Sequence, residues 1–155
     1  YHIPVEAELG AIRGKEDDNC SEADCKTDPA LVAEFADRSG CDTLAVSIGN
    51  VHGLEEAPKI DLPLLKEIAE VSPVPLVLHG GSGISFELIR NMKTYKMLKI
   101  NYGSDLRQAY IKTFGKAYEV NHKEADLYGL SMKAVKNVRQ TACDLVRIIN
   151  GFEEG

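Results

Sequence analysis

Leu76-Val77-Leu78-His79-Gly80-Gly81-Ser82-Gly83 is the stretch that decides the fold. Pro73-Val74-Pro75 stops whatever helix precedes it, and the glycines force a turn after it. A short apolar run bounded this way reads as a buried strand. The same pattern occurs upstream in Leu44-Ala45-Val46-Ser47-Ile48-Gly49-Asn50-Val51-His52-Gly53. Between and after the two runs lie helical stripes, Leu64, Leu65, Ile68 and Ala69, then Phe86, Leu88, Ile89 and Met92. Strands that alternate with helices imply an α/β fold with a parallel sheet and right-handed crossovers. In such a sheet the functional site is built at the C-terminal strand ends. His52 and His79 both fall there.

The same alternation extends in both directions. His2-Ile3-Pro4-Val5-Glu6-Ala7-Glu8-Leu9 has period two, so it predicts a strand with Glu6 and Glu8 on one face. A polar stretch runs from there to Lys26 and predicts a mobile loop. Thr27 is expected to N-cap a helix whose first turn holds Asp28 and Pro29, whose stripe is Leu31, Val32, Phe35 and Ala36, and which Gly40 closes. Strands are expected at Thr43–Gly49, Leu76–His79 and Met97–Asn101, and two last helices at about Ser104–Asn121 and Leu130–Asn150. Four strands make either a small open sheet or half of an eight-stranded barrel. No linker interrupts the 155 residues, which are expected to form a single domain.

Composition narrows the function. A net charge of -6 argues against a nucleic-acid binder. No run approaches the roughly 18 apolar residues of a membrane span. The chain starts at Tyr1, so it is expected to be a piece of a longer polypeptide, and the lack of a signal peptide says little. Cys20 and Cys25 have Cys-x4-Cys spacing with no second pair, which is not a zinc ribbon. With Cys41 and Cys143 they read as free thiols in a reducing cytosol.

The chemistry concentrates at the strand tips. One histidine near a sheet end is usually just a hydrogen-bonded side chain. Two at equivalent tips fit a shared metal ion, because neutral imidazole is a common zinc ligand. Catalytic zinc takes three protein ligands. His2 lies at the wrong end of its strand and His122 in a helix connection, so no third histidine is evident. After His79, Gly80, Gly81 and Ser82 offer backbone and hydroxyl donors to an anion, next to a helix that starts near Ser85. An ordinary tight turn would use the same residues. Asn101-Tyr102-Gly103-Ser104 repeats the pattern at the next tip. There Asn101 can donate to an oxyanion, and Gly103 and Ser104 can bind phosphate or simply cap a helix. Glu16 lies on the loop, where a carboxylate can act as a general base or stay solvated.

Five ordered segments carry a resemblance: Val5-Glu6-Ala7-Glu8-Leu9-Gly10, Gly14-Lys15-Glu16-Asp17-Asp18, Gly49-Asn50-Val51-His52-Gly53, His79-Gly80-Gly81-Ser82-Gly83 and Lys99-Ile100-Asn101. Together they resemble the second half of the class II, zinc-dependent ketose-bisphosphate aldolases. The resemblance implies a (β/α)8 TIM barrel, with this chain as strands five to eight, their helices and a C-terminal helix. It implies cleavage of a ketose bisphosphate of the fructose 1,6-bisphosphate type to dihydroxyacetone phosphate and an aldehyde, through a zinc-stabilised enediolate.

Residue by residue, the resemblance makes His52 and His79 zinc ligands and places Glu8 at or beside the metal. Glu16 would remove a proton from dihydroxyacetone phosphate in the condensation direction, and Asn101 would contact the enediolate. Gly53, Gly80, Gly81, Ser82, Gly103 and Ser104 would bind phosphate, with Na+ or K+ near Gly53 and Ser82. A cytoplasmic homo-oligomer, dimer or tetramer, is implied, completed by the first half of the barrel. That half carries the family's acid/base aspartate and third zinc histidine. Two positions depart from the fructose pattern. Gly103 stands where an aspartate is typical and matches the small residue of tagatose-type members, and Asp126 stands where an arginine grips the distal phosphate. Alternatives are therefore an aldolase for tagatose bisphosphate or a sugar-acid phosphate, or a non-catalytic half-barrel.

Overall fold

The computed structural model describes residues 2–14, 26–53, 57–123 and 125–152. They fall into two compact units, Tyr1–Tyr102 and Gly103–Gly155. The first contains a sheet of four strands, β1 (Glu6–Leu9), β3 (Thr43–Val46), β5 (Leu76–Leu78) and β6 (Met97–Ile100), in the order β1-β3-β5-β6. Every pairing is parallel, as the alternation predicts. A second, two-residue parallel ladder joins β2 (Arg13–Gly14) to β4 (Val51–His52), which sequence periodicity does not reveal.

Helices α1 (Pro29–Ser39), α2 (Leu62–Val71) and α3 (Phe86–Met92) fill the crossovers. Most of each expected stripe faces the core: Val32 and Ala36, Leu65, Ile68 and Ala69, then Ile89 and Met92 are buried, but Leu31, expected in the α1 stripe, is exposed, because it lies next to Val32 at the edge of the buried face. They share the core with Leu44, Val46, Leu76 and Leu78, all fully buried. Gly40, with φ of 64°, closes α1 by donating its N–H to Ala36. The residue that starts α1 differs from expectation. Asp28 is the cap, accepting from the Ala30 N–H at 2.9 Å. The Thr27 hydroxyl instead donates to Leu9 O at 2.5 Å and accepts from the Ser47 N–H at 2.8 Å. Aspartate is as good a cap as threonine, so Thr27 is free for a long-range role.

The strands are shorter than the apolar runs, for a definite reason. The Ser47 N–H goes to Thr27, and the Ile48 N–H goes to the side chain of Asn50 at 2.8 Å. Both groups leave the sheet ladder, so β3 ends at Val46 while burial continues to Ile48. At the other end of the sheet the pairing shifts. Leu76 pairs with Met97 but Val77 pairs with Lys99, so Leu98 is an inserted residue, a bulge.

The second unit is a helix pair, α4 (Ser104–Val120) and α5 (Leu127–Asn150), packed on each other. Thr113 and Ala134 are buried within it, and the Asn137 amide donates to the Thr113 hydroxyl at 2.8 Å. Gly103 is the N-cap of α4 and Ser104 its first helical residue. α5 starts three residues before the expected Leu130, because Asp126 caps it by accepting from the Gly129 N–H at 2.8 Å. Among the described residues, no helix is long and apolar enough to cross a membrane.

Candidate functional site

Register explains which side chains meet. Glu8 pairs with Ala45, Ala45 with Val77, and Val77 with Lys99. Paired residues in neighbouring strands point to the same face, and so do residues two apart in one strand. Glu6, Glu8, His79 and Lys99 therefore rise from one face of the sheet. The row between them is made of Ala45 and Val77, both short and buried.

His79 lies just past β5, between two carboxylates. Its Nε2 is 2.9 Å from Glu6 Oε1 and its Nδ1 is 2.7 Å from Glu8 Oε2. The other oxygen of Glu6 accepts from Lys99 Nζ at 2.7 Å. Partial burial would raise the Glu6 pKa, but hydrogen bonds from Lys99 and His79 and the charges of both hold it below the usual carboxylate value. His52 ends β4, and its ring stacks near that of His79, centroids 6.3 Å apart at 25°.

The backbone around the two histidines is tied together. Asn50, buried, accepts from the Ile48 N–H with one amide atom and donates to His79 O at 2.9 Å with the other. Its side chain thus bridges the turn before His52 to the main chain of His79. Gly80 has φ of 68°, and a Cβ there would collide with the Val51 carbonyl. Only glycine lets the two loops approach this closely. On the other side of His52, the β2–β4 ladder pairs it with Gly14.

Of the candidates from sequence, His52, His79, Glu8, Gly53 and the Gly80–Ser82 turn belong to these two adjoining loops and to β1. Ser82 is buried in its turn. The Gly81 N–H donates to Asn101 O at 2.9 Å, so that hydrogen is already used within the fold. Asn101 follows β6, its N–H bonded to Leu78 O and its side chain exposed. Gly103 and Ser104 belong to the second unit, at the start of α4. Glu16, Cys20 and Cys25 lie outside the described residues. Two participants were not singled out from sequence. Asn50 sits inside a quoted motif without an assigned role. Lys99 joins the site face only because of the bulge at Leu98, which no periodicity signals.

The donor set suits a cation. A neutral imidazole donates from one nitrogen only, so His79 can serve one of the two carboxylates as donor and offers a lone pair on its other nitrogen. Imidazole and carboxylate are zinc ligands, and a ring nitrogen held by a second carboxylate is the usual support for one. His52, His79 and Glu8 are the residues here that could hold a metal. Among the described residues no group of three or more His, Cys, Asp or Glu is arranged to hold one unaided.

Comparison with known proteins shows which proteins this chain is similar to. The model of the family "Fructose-bisphosphate aldolase class-II" matches residues 1–151. The YdjI aldolase of Escherichia coli K12 shares 34% identity over 95% of this chain and 48% of its own, with a TM-score of 0.70. A putative fructose-1,6-biphosphate aldolase from Coccidioides immitis is 23% identical over 96% of this chain and 52% of its own, with a TM-score of 0.74. The fructose-bisphosphate aldolase of Campylobacter jejuni is 21% identical with the same coverages of 96% and 52%, and a TM-score of 0.73. The last two likenesses concern the fold alone. This chain spans about half the length of the solved structures it matches.

Proposed function

This chain belongs to the class II fructose-bisphosphate aldolase family, and from that premise we propose that the protein is a metal-dependent aldolase. It cleaves a phosphorylated ketose to dihydroxyacetone phosphate, or a close analogue, and an aldehyde. The observation that carries this is His79, set between two carboxylates beside His52 at the C-terminal strand ends. His52 and His79, with Glu8 at or beside the ion, would hold a zinc ion, which would supply Lewis acidity toward the substrate carbonyl.

The remaining roles belong to the chain itself. Gly53, Gly80, Gly81 and Ser82 approach the substrate phosphate, most of them through main-chain N–H groups, and orient the ketone. Since the Gly81 N–H is bonded to Asn101, its part is to keep that approach open. Asn101 donates to the oxygen that gains negative charge as the carbon–carbon bond breaks. Glu16 moves the proton at carbon, from a segment whose start, Gly14, pairs with His52. Phosphate binding by Gly103 and Ser104, and Na+ or K+ near Gly53 and Ser82, rest on family resemblance.

The fold proposal is half of a TIM barrel. Ile3, Val5 and Leu98 are 71%, 53% and 68% exposed, and they flank or lie on the two outer strands, β1 and β6. Apolar side chains on open strand edges fit strands of a complementary half. That half would bring the acid/base aspartate and third histidine, within a cytoplasmic homo-oligomer. A stable monomeric half-barrel in sedimentation would count against it.

A second reading, an aldolase for another phosphorylated ketose, is favoured by Asp126. Its carboxylate caps α5 and cannot hold a distal phosphate as an arginine does. The test is aldol cleavage by the intact protein, with fructose and tagatose bisphosphates and ketose monophosphates compared. Activity is expected to vanish on chelation and return with zinc. Full activity in chelator would sink the proposal.

A further inference from the structure

Lys99 and Glu6 form a contact that the family motifs do not explain. They come from the two outer strands of the sheet, 93 residues apart, and reach over β3 and β5 to meet. Three features allow it. The bulge at Leu98 turns Lys99 onto the face that carries Glu6. Ala45 and Val77, below the contact, are too short to block it. Glu6 divides its oxygens, Oε2 to Lys99 at 2.7 Å and Oε1 to His79 Nε2 at 2.9 Å.

We infer that Glu6 and Lys99 are positioning residues for the metal centre, acting through His79, an inference that rests on His79 being a metal ligand. A carboxylate alone can swing about its own side chain. Held at one oxygen by the Lys99 ammonium, Glu6 presents the other in a fixed direction. A hydrogen bond from His79 Nε2–H to that oxygen fixes the ring plane and the tautomer. The lone pair is then on Nδ1, the nitrogen that faces Glu8 at 2.7 Å. The carboxylate also makes the imidazole a stronger donor to a metal. Lys99 is thus the third member of a chain that runs ammonium, carboxylate, imidazole. An ordinary salt bridge on an open sheet would have no such consequence. It would contribute to stability at most, and little of that with the lysine side chain half exposed.

Zinc affinity separates these cases. It is measured on the intact protein by competition with a chromophoric chelator, with zinc ions alone and no substrate. The variants are Lys99→Met, Lys99→Arg, Glu6→Gln and His79→Ala. Visible absorption of the cobalt-substituted forms reports the ligand field independently. Expected is a loss of affinity of roughly 10- to 100-fold in Glu6→Gln and about 10-fold in Lys99→Met. Lys99→Arg should stay within about threefold of wild type, because a guanidinium also serves a carboxylate. The cobalt bands of Lys99→Met should shift and those of Lys99→Arg should not. If Glu6→Gln fails to fold, the Met and Arg pair at position 99 decides alone. Wild-type affinity in both Lys99→Met and Glu6→Gln, with His79→Ala impaired, would overturn the inference and leave the metal site standing. Wild-type affinity in His79→Ala would remove the metal reading itself.

Discussion

At the scale of single residues, the site depends on a few polar contacts with no slack. Asn50 is the clearest. It satisfies the Ile48 N–H and His79 O together, from a buried position. Asn50→Ala leaves both groups unsatisfied, at roughly 1–3 kcal/mol each. Urea unfolding should therefore show a loss of about 2–6 kcal/mol, and unchanged stability would mean that water replaces the amide. His52→Ala and His79→Ala are expected to lower kcat/KM by at least about 100-fold, more than loss of a supporting contact does. Steady-state kinetics on the intact protein checks this. Retention of full rate by either variant would contradict a metal role. Both histidines were legible in the sequence because each follows an apolar run and precedes glycine. Lys99 was not legible as a site residue, since a period-two count from Met97 puts it on the opposite face.

At the scale of elements, caps and stitches decide where helices and strands begin and end. Asp61 caps α2 through the Leu64 N–H at 3.0 Å and pairs with Lys26 at 2.9 Å. The hydrogen bond from Lys26, then that from Leu64, lower its pKa against a smaller opposing effect of burial. A carboxylate with a depressed folded pKa stabilises the fold above its unfolded pKa, and the gain disappears as pH falls through the folded value. Asp61→Asn keeps the cap and removes the charge. It should cost less than about 1 kcal/mol at neutral pH, because the pair is partly exposed. The difference from wild type should start to shrink below about pH 4 and vanish once pH is below the folded pKa. Denaturation curves at pH 7 and pH 3 measure both, and a difference that grows on acidification would refute the assignment. Thr27 is the stitch between the tips of β1 and β3. Thr27→Val removes its hydroxyl from Leu9 O and the Ser47 N–H, with an expected loss of roughly 1–3 kcal/mol. The helix stripes were legible because burial follows period 3.6. The choice of Asp28 over Thr27 as cap was not, since both residues suit the position.

At the scale of the whole molecule, β-α alternation led to the parallel sheet, and its direction led to the C-terminal strand ends as the place for a site. Removal of metal from the intact protein should lower its thermal midpoint as well as its activity, since a ligand that binds only the folded state stabilises it. Calorimetry with and without chelator reads this, and an unmoved midpoint would argue against a tightly held ion. By itself the sequence determined the α/β class, the helix stripes and the two histidines at strand tips. These follow from local periodicity and from which residues can end a strand. Only the tertiary structure decided that His79 stands between Glu6 and Glu8, that Asn50 ties two loops, and that Lys99 reaches over two strands to Glu6. Each of those depends on register, and one extra residue at Leu98 is enough to turn the next side chain to the other face.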